Sequence, residues 1–102
     1  MKELKLCLIG FGNAGREFCR LLLQKQTEIE EAYGYNVLIT DITTKSRGAL
    51  SNASGIDLSR ALREVDTEGK FAGDNPDIAH SDSVGRIKES QADVLVELST
   101  FR

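Results

Sequence analysis

Three apolar segments along the chain have the length and the side-chain types of buried strands. They cover residues 4–9, 37–43 and 94–98. Aliphatic and β-branched residues dominate each segment, and nearly continuous apolar runs are typical of parallel strands that are covered on both faces. The pattern therefore predicts three strands of one parallel sheet.

Helical periodicity appears between the first and the second of these segments. Apolar residues recur there at steps of three and four, which predicts a helix with one buried face, and Gly34 is a typical stop signal. The positions that form the stripe are Phe18, Leu21, Leu22, Ile29, Ala32 and Tyr33.

A second, shorter helix is predicted after Asp57, because aspartate is a preferred N-cap residue. Its apolar positions, from Leu58 to Val65, fall on one face. Residues 67–78 contain the single proline and few apolar side chains, so we expect an exposed loop. Ser83 is a candidate cap for another short helix before the third strand.

These alternating elements predict the α/β class. We expect a Rossmann-like half domain, in which a three-stranded parallel sheet of order 2-1-3 is flanked by helices. A chain of 102 residues is one domain or part of one. It ends directly after the third strand, whose outer edge would be left bare, and such an edge predicts pairing with another copy, hence a homo-oligomer, or poor order.

Composition and charge restrict the function classes. Hydrophobic residues make up 40% and charged residues 28% of the chain, which favours a folded domain, and the net charge of −3 argues against nucleic-acid or anionic-membrane binding. The apolar runs are too short to cross a bilayer, and residues 1–5 lack a signal-peptide pattern, so a cytoplasmic protein is expected. Cys7 and Cys19 are interpreted as reduced, buried thiols, and a single histidine, His80, argues against a zinc site.

A glycine-rich turn lies between the first strand and the first helix. In a strand–turn–helix context, the spacing G-x-G-x-x-G predicts a dinucleotide site: the first glycine permits the tight turn, the second lets the pyrophosphate approach, and the third lets the helix pack closely. The helix N-terminus adds N–H groups that favour phosphate. The residues of this turn are Gly10, Phe11, Gly12, Asn13, Ala14 and Gly15, and Arg16 after them either touches a phosphate or faces solvent.

The end of the second strand offers two ways of recognising the cofactor's ribose. Asp41 could bind the 2′-hydroxyl of NAD, although the strand continues past it. Beyond it, hydroxyl and basic side chains could hold the 2′-phosphate of NADP through charge-assisted hydrogen bonds. We favour NADP over NAD for this reason, and the candidate residues are Thr43, Thr44, Lys45, Ser46 and Arg47.

The chain resembles homoserine dehydrogenases over nearly its whole length. Residues 8–16 resemble the opening of those enzymes, residues 43–50 their segment after the second strand, residues 55–58 their glycine–aliphatic–Asp–Leu element, and residues 92–99 their third strand and its exit. The glycine turn is shared with many dehydrogenases, so the later segments carry the specificity of the resemblance.

The resemblance implies NAD(P)-dependent interconversion of L-homoserine and L-aspartate 4-semialdehyde, in threonine and methionine biosynthesis. It implies that residues 10–15 hold the pyrophosphate and that Ser99 and Thr100 lie near the nicotinamide ribose. Many relatives carry proline where Thr100 stands. The lysine for proton transfer and the acids that bind the substrate belong to a later domain of the family, so no catalytic residue is assigned here; Lys88 and Glu97 are interpreted as structural.

The expected domain organisation follows from the resemblance. Residues 1–102 would be the N-terminal part of an NAD(P)-binding Rossmann domain, and the substrate domain would be absent from this chain, which would bind cofactor without catalysis. Two alternatives stay open. One is another NAD(P)-dependent oxidoreductase, and the other is a nucleotide-sensing regulatory module without catalytic activity.

Overall fold

The described part of the chain forms a mixed five-stranded sheet with two helices. The computed structural model describes residues 2–79 and 92–98. His80, Ser83, Lys88, Ser99 and Thr100 lie outside these ranges, so the predictions made for them are not addressed by the structure. The elements are β1 (Lys2–Ile9), α1 (Asn13–Tyr33), β2 (Tyr35–Thr43), β3 (Ala49–Ser51), α2 (Leu58–Glu68), β4 (Ile78–Ala79) and β5 (Val94–Glu97).

The strand order of the sheet is β4-β3-β2-β1-β5. β1 lies between β2 and β5 and is parallel to both. The α/β class is confirmed, and the three predicted strands lie in the expected relative order. The prediction of a three-stranded, all-parallel sheet is wrong, because β3 and β4 extend it beyond β2 as antiparallel strands.

β3 arises from a tight chain reversal after β2, whereas β4 follows α2 in the chain and pairs with β3. Thr44 Oγ1 accepts a hydrogen bond from the N–H of Arg47 at 2.8 Å and donates one to the carbonyl of Gly48 at 2.7 Å. Gly48 has a φ of 95°, which favours glycine. β3 therefore returns along β2, pairing Thr43 with Ala49. Strands of two and three residues are too short to leave a periodic signal in the sequence.

The first helix ends at Gly34, as the sequence predicts, and the second ends at Gly69, for which no stop was predicted. Gly34 and Gly69 adopt left-handed conformations, and their N–H groups donate to carbonyls in the last turns of α1 and α2. The side chain of Asp57 accepts from the N–H of Arg60 at 3.1 Å, which confirms the predicted N-cap of α2. The core between the helices and the sheet includes Leu6, Leu8, Phe11, Cys19, Leu22, Ile39, Ile42, Leu50, Ile56, Ala61, Leu62, Val65 and Phe71.

The segment after α2 is ordered by a buried carboxylate, not a loose exposed loop as predicted. Glu64 Oε1 accepts from the N–H of Ala72 at 3.0 Å and from Asn75 Nδ2 at 2.9 Å, and its Oε2 accepts from Arg60 Nε at 2.6 Å. Phe71 and Asn75 are both buried. The sequence prediction failed because a single glutamate in a helix does not reveal that its partners lie in the next segment.

The cysteine prediction agrees with the structure. Both cysteines are buried thiols, one in β1 and one in α1. Burial raises the pKa of the Cys19 thiol to about 12, and the nearby positive charge of Arg20 offsets only part of this. Neither α1 nor α2 is both long and apolar enough to cross a membrane, and these are the helices of the described residues.

Glu64 makes stability depend on pH in a defined direction. Burial raises the pKa of Glu64, but the hydrogen bonds from Arg60, Asn75 and the N–H of Ala72 outweigh burial and hold it below its ordinary value. A carboxyl whose pKa is depressed by folding stabilises the fold above its unfolded pKa and loses this contribution as pH falls. We expect Glu64→Gln to lower the free energy of unfolding at neutral pH by about 1–3 kcal/mol, measured by urea denaturation.

The acid dependence provides the control for this prediction. Between neutral pH and pH about 3, the Glu64→Gln variant should lose less stability than the wild type, because the variant no longer has this carboxylate to protonate. Glu68→Gln, an exposed change in the same helix, should stay within about 0.5 kcal/mol of the wild type. Equal acid sensitivity of the Glu64→Gln variant and the wild type would contradict the assignment.

Candidate functional site

The carboxyl ends of β1, β2 and β5 meet at one edge of the sheet. Ile9 is in register with Thr43 of β2 and with Glu97 of β5. The N–H of Gly10 donates to the carbonyl of Thr43 at 2.8 Å, and the N–H of Leu98 donates to the carbonyl of Ile9 at 2.9 Å. Ligands of open α/β sheets bind at this edge of the strands. The structure therefore brings the glycine turn beside the end of β2, as the sequence predicts.

Two of the three glycines of the turn have a structural reason to be glycine, and the third has none within the described protein. Gly10 has a φ of 100°, a conformation that other residues rarely adopt. A Cβ on Gly15 would lie 2.5 Å from the carbonyl oxygen of Gly10, so only glycine lets α1 approach the end of β1 this closely. Gly12 has a φ of −82°, and a Cβ there would meet no atom within 4 Å. Neither the backbone nor the packing requires glycine at this position.

The N-terminus of α1 opens towards the same edge. Gly12 is the N-cap and offers no side chain to the N–H groups of the first turn, and Asn13 and Ala14 are exposed. The free N–H groups and the positive end of the helix dipole favour an anion at such a terminus. Together with the open space at Gly12, this arrangement can accept a phosphate group close to the backbone.

The guanidinium of Arg16 is held by contacts within the protein, at the first turn of α1. Its Nη1 donates to Asp66 of α2 at 2.9 Å, its Nη2 donates to the side chain of Asn13 at 2.8 Å, and its Nε donates to the carbonyl of Gly12 at 3.3 Å. All three nitrogens are thus engaged within the protein. The side chain of Arg16 is thus largely covered and not simply solvent-facing, and its contact with a phosphate stays a prediction.

The loop after β2 contains one engaged and one available cation. Arg47 Nη1 donates to the carbonyl of Gly69 at 2.7 Å, and the carbonyl of Arg47 accepts from the N–H of Phe71 at 2.9 Å. Lys45 is exposed and forms no ion pair with another of the described residues. The turn built on Thr44 thus holds the loop in place, while the ammonium group of Lys45 stays accessible.

Thr43 carries an unsatisfied polar group at the end of β2. Its side chain is buried, and Oγ1 has no hydrogen-bond partner among the residues that the structure describes. A buried hydroxyl without a partner is costly, by about 1–3 kcal/mol. Thr43 is also the residue whose carbonyl accepts from Gly10, so this free hydroxyl belongs to the strand end next to the glycine turn.

Asp41 does not stand at the end of the strand. It is 3% exposed, inside β2, and its carboxylate accepts from Ser51 Oγ at 2.9 Å and from Thr40 Oγ1 at 3.1 Å. A carboxylate held in this way is not available to a ribose hydroxyl. Of the two sequence candidates for ribose recognition, Asp41 is therefore buried and hydrogen-bonded inside the sheet, and the basic loop after β2 lies at the strand end.

Sequence reasoning missed Phe71, which contacts both the glycine turn and the loop after β2. Its ring packs against that of Phe11 in the glycine turn, with the centroids 5.3 Å apart. The Phe71 ring also lies next to Gly48: a Cβ placed on Gly48 would be 3.6 Å from a carbon atom of the ring. The only sequence signal was one aromatic residue in a segment without periodicity, which does not indicate its contacts.

Comparisons with known proteins agree with the resemblance seen in the sequence. No family model matches the chain. The chain is 27% identical over 101 residues to the NAD(+)-dependent homoserine dehydrogenase of Pseudomonas canavaninivorans, covering 99% of this chain and 28% of that protein. It is 28% identical over 94 residues to a homoserine dehydrogenase of Methanocaldococcus jannaschii, covering 92% of this chain and 27% of that protein.

A solved structure shows the same fold. The hyperthermophilic archaeal homoserine dehydrogenase in complex with NADPH superposes with a TM-score of 0.78 at 21% identity, over 97% of this chain and 29% of that one. The resemblance to homoserine dehydrogenases is thus confirmed in sequence and in fold. This chain is similar, over nearly its whole length, to a part of homoserine dehydrogenases that amounts to little more than a quarter of those enzymes.

Proposed function

We propose that this chain is the NAD(P)-binding part of a homoserine dehydrogenase. Residues 1–102 would form the N-terminal part of the Rossmann domain of a longer, cytoplasmic enzyme that interconverts L-homoserine and L-aspartate 4-semialdehyde in threonine and methionine biosynthesis. The observation that carries the proposal is Gly12, which neither its backbone conformation nor its packing requires to be glycine. Close approach of a ligand to the backbone supplies the missing reason.

The residues present fit a dinucleotide. In our proposal the backbone of residues 10–15 and the N-terminus of α1 hold the pyrophosphate. Thr43 supplies a hydroxyl that has no partner in the described protein, and Thr44 and Arg47 hold the loop that presents Lys45 to the 2′-phosphate. Ser99 and Thr100, outside the described residues, are proposed to lie near the nicotinamide ribose.

In this proposal the cofactor and the protein have different roles in the reaction. When bound, the nicotinamide supplies hydride transfer, and this chain supplies position and electrostatics. None of its described residues is assigned a proton-transfer role. The homoserine dehydrogenase assignment rests on the named relatives, the NADPH complex of a relative with the same fold, and the location of the glycine turn.

The alternative of a nucleotide-sensing module is less well supported. That interpretation uses an acid at the end of the second strand. In this structure the acid of β2, Asp41, is buried inside the strand, and the strand ends at Thr43. We therefore retain the enzyme assignment, and NADP as the favoured cofactor with NAD as the second choice.

Two glycine substitutions separate the roles of packing and cofactor binding. Gly15→Ala should lower the free energy of unfolding by about 1–3 kcal/mol, because its Cβ meets a backbone oxygen that cannot move away. Gly12→Ser should leave stability unchanged or raise it, since serine is a good N-cap, but should weaken NADPH binding at least about tenfold, or about 1.4 kcal/mol. Urea denaturation and isothermal titration calorimetry measure the two effects.

The pair of variants makes the test specific. If the folded Gly12→Ser variant bound NADPH as tightly as the wild type, a ligand would not need glycine at this position. The proposal would then lose its main argument. Wild-type stability of the Gly15→Ala variant would show that α1 can shift, and that the close approach to Gly10 is not a constraint.

Lys45 determines the choice of cofactor in our proposal. Lys45→Ala should weaken NADPH binding about tenfold, since a hydrogen bond to a charged group contributes roughly 1.5–3 kcal/mol. NADH binding should not change, because NADH has no 2′-phosphate. Lys2→Ala is the matched control: Lys2 is exposed at the opposite end of β1 and lies about 20 Å or more from the site.

The outcome for the two cofactors is read by calorimetry. Stronger binding of NADH than of NADPH by the wild type would contradict the basic-loop assignment. An equal effect of Lys45→Ala on both cofactors would show that Lys45 acts on the general negative charge of the cofactor and not on the 2′-phosphate.

The chain alone should bind cofactor without turnover. With L-homoserine and NADP⁺, we expect no formation of NADPH above the enzyme-free rate, because the residues proposed for proton transfer belong to a part of the relatives that this chain does not match. The measurement is the absorbance of NADPH. Homoserine-dependent turnover would show that the catalytic groups lie within residues 1–102.

A further inference from the structure

The loop after β2 packs against the segment that follows α2, residues 69–75. The carbonyl of Arg47 accepts from the N–H of Phe71 at 2.9 Å, and Arg47 Nη1 donates to the carbonyl of Gly69 at 2.7 Å. The Phe71 ring also lies next to the backbone of Gly48. The position of the loop therefore depends on where segment 69–75 lies.

A carboxylate of α2 holds segment 69–75 in place. The segment lies between α2 and β4 and contains no helix or strand, so no backbone ladder fixes its shape. Glu64 Oε1 accepts from the N–H of Ala72 at 3.0 Å and from Asn75 Nδ2 at 2.9 Å, and both Glu64 and Asn75 are buried. Loss of this acceptor would leave two donors without their partner, which is unfavourable inside a protein. The conformation of segment 69–75 thus depends on Glu64.

Glu64 itself does not belong to the candidate site. Its second oxygen, Oε2, accepts from Arg60 Nε of the same helix at 2.6 Å. Within the described part of the chain, the carboxylate forms no hydrogen bond with residues 44–48. Any effect of Glu64 on Lys45 must therefore pass through segment 69–75.

The glycine turn depends less on this connection than the loop does. Phe71 contacts Phe11 in the turn, but the turn has supports of its own. The N–H of Gly10 donates to the carbonyl of Thr43 at 2.8 Å, and the first turn of α1 packs closely against the end of β1. A loss of the Glu64 interactions should consequently disturb the loop after β2 more than the glycine turn.

We propose that Glu64 is a positioning residue that sets the preference of the cofactor site for NADPH over NADH. It holds segment 69–75, which holds the loop after β2 and so places Lys45 at the 2′-phosphate. This inference rests on the proposed function. A loop that is already in place spares the ligand the cost of ordering it, and only NADPH has the 2′-phosphate that uses this loop. The preference is then determined in part by a residue outside the site.

The first test is calorimetric titration of variants with each cofactor. Glu64→Ala should weaken NADPH binding at least about threefold and change NADH binding by less than about twofold. Glu64→Gln keeps an amide oxygen that can accept from Ala72, so its NADPH affinity should lie between those of the wild type and Glu64→Ala. Glu68→Gln, an exposed change in the same helix, should alter neither affinity. Circular dichroism establishes which variants fold; should Glu64→Ala unfold, Glu64→Gln is compared with Glu68→Gln.

A double-mutant cycle tests whether Glu64 acts through Lys45. The variant that combines Glu64→Gln with Lys45→Ala should bind NADPH about as well as Lys45→Ala alone, because a displaced loop has no further effect once its cation is gone. A merely structural role of Glu64 predicts a different result. It would weaken NADPH binding further in the double variant and would weaken NADH binding by the same factor.

Amide hydrogen exchange measures the position of the loop without any cofactor. The N–H of Arg47 donates to Thr44 Oγ1, and the N–H of Phe71 donates to the carbonyl of Arg47. Both N–H groups should exchange faster in Glu64→Gln than in the wild type, since the segment opens locally more often. The N–H of Gly10 is the internal reference, and its exchange should accelerate by a smaller factor.

The outcomes distinguish this inference from the proposed function. Binding of neither cofactor by the wild type would overturn the proposed function and this inference with it. If the wild type binds NADPH but the Glu64 variants keep its preference for NADPH over NADH, the inference alone is overturned. Additive effects of Glu64→Gln and Lys45→Ala on NADPH binding would also overturn it, because Glu64 would then act independently of Lys45.

Discussion

The close approach of the first turn of α1 to the end of β1 is the constraint on which the site depends. A Cβ at Gly15 would lie 2.5 Å from the carbonyl oxygen of Gly10, so the two backbones are in contact. This contact fixes where the helix N-terminus points. Arg16 then holds the turn from outside, through Asn13 and the carbonyl of Gly12. The position of the open backbone at Gly12 is therefore a consequence of packing, although Gly12 itself has no packing role.

The second half of the candidate site is held by contacts from a distant part of the chain. Phe71 packs on Phe11 of the glycine turn and on Gly48 at the start of β3. Glu64 in turn orders the segment that carries Phe71, by accepting from the N–H of Ala72. The glycine turn and the loop after β2 thus both pack against the ring of Phe71. The position of this ring depends in turn on the buried carboxylate of Glu64 in α2. We expect a loss of the Glu64 interactions to disturb the position of the loop that carries Lys45.

The sequence predicted the local elements well and the long-range contacts poorly, for a physical reason. Gly34 and Asp57 act within a few residues of themselves, so their roles as helix stop and N-cap could be predicted from neighbouring positions. The glycine turn was predictable because its spacing is local to the strand and the helix on either side of it. Phe71 and Glu64 act on partners that only the fold brings near. β3 and β4 were missed because strands of three and two residues are too short to show a period.

In the proposed site, the length of β2 decides which residue would meet a bound ribose. In a dinucleotide site the reading residue stands where the second strand ends. β2 continues through Asp41 to Thr43, and Ser51 of β3 satisfies the carboxylate of Asp41 inside the sheet. The extra strands and the buried acid are therefore one feature, since the reversal at residues 44–48 both creates β3 and moves the strand end past Asp41. Lys45, a cation, is exposed beyond that end. The proposed preference for a 2′-phosphate therefore follows from the sheet topology as well as from the composition of the loop.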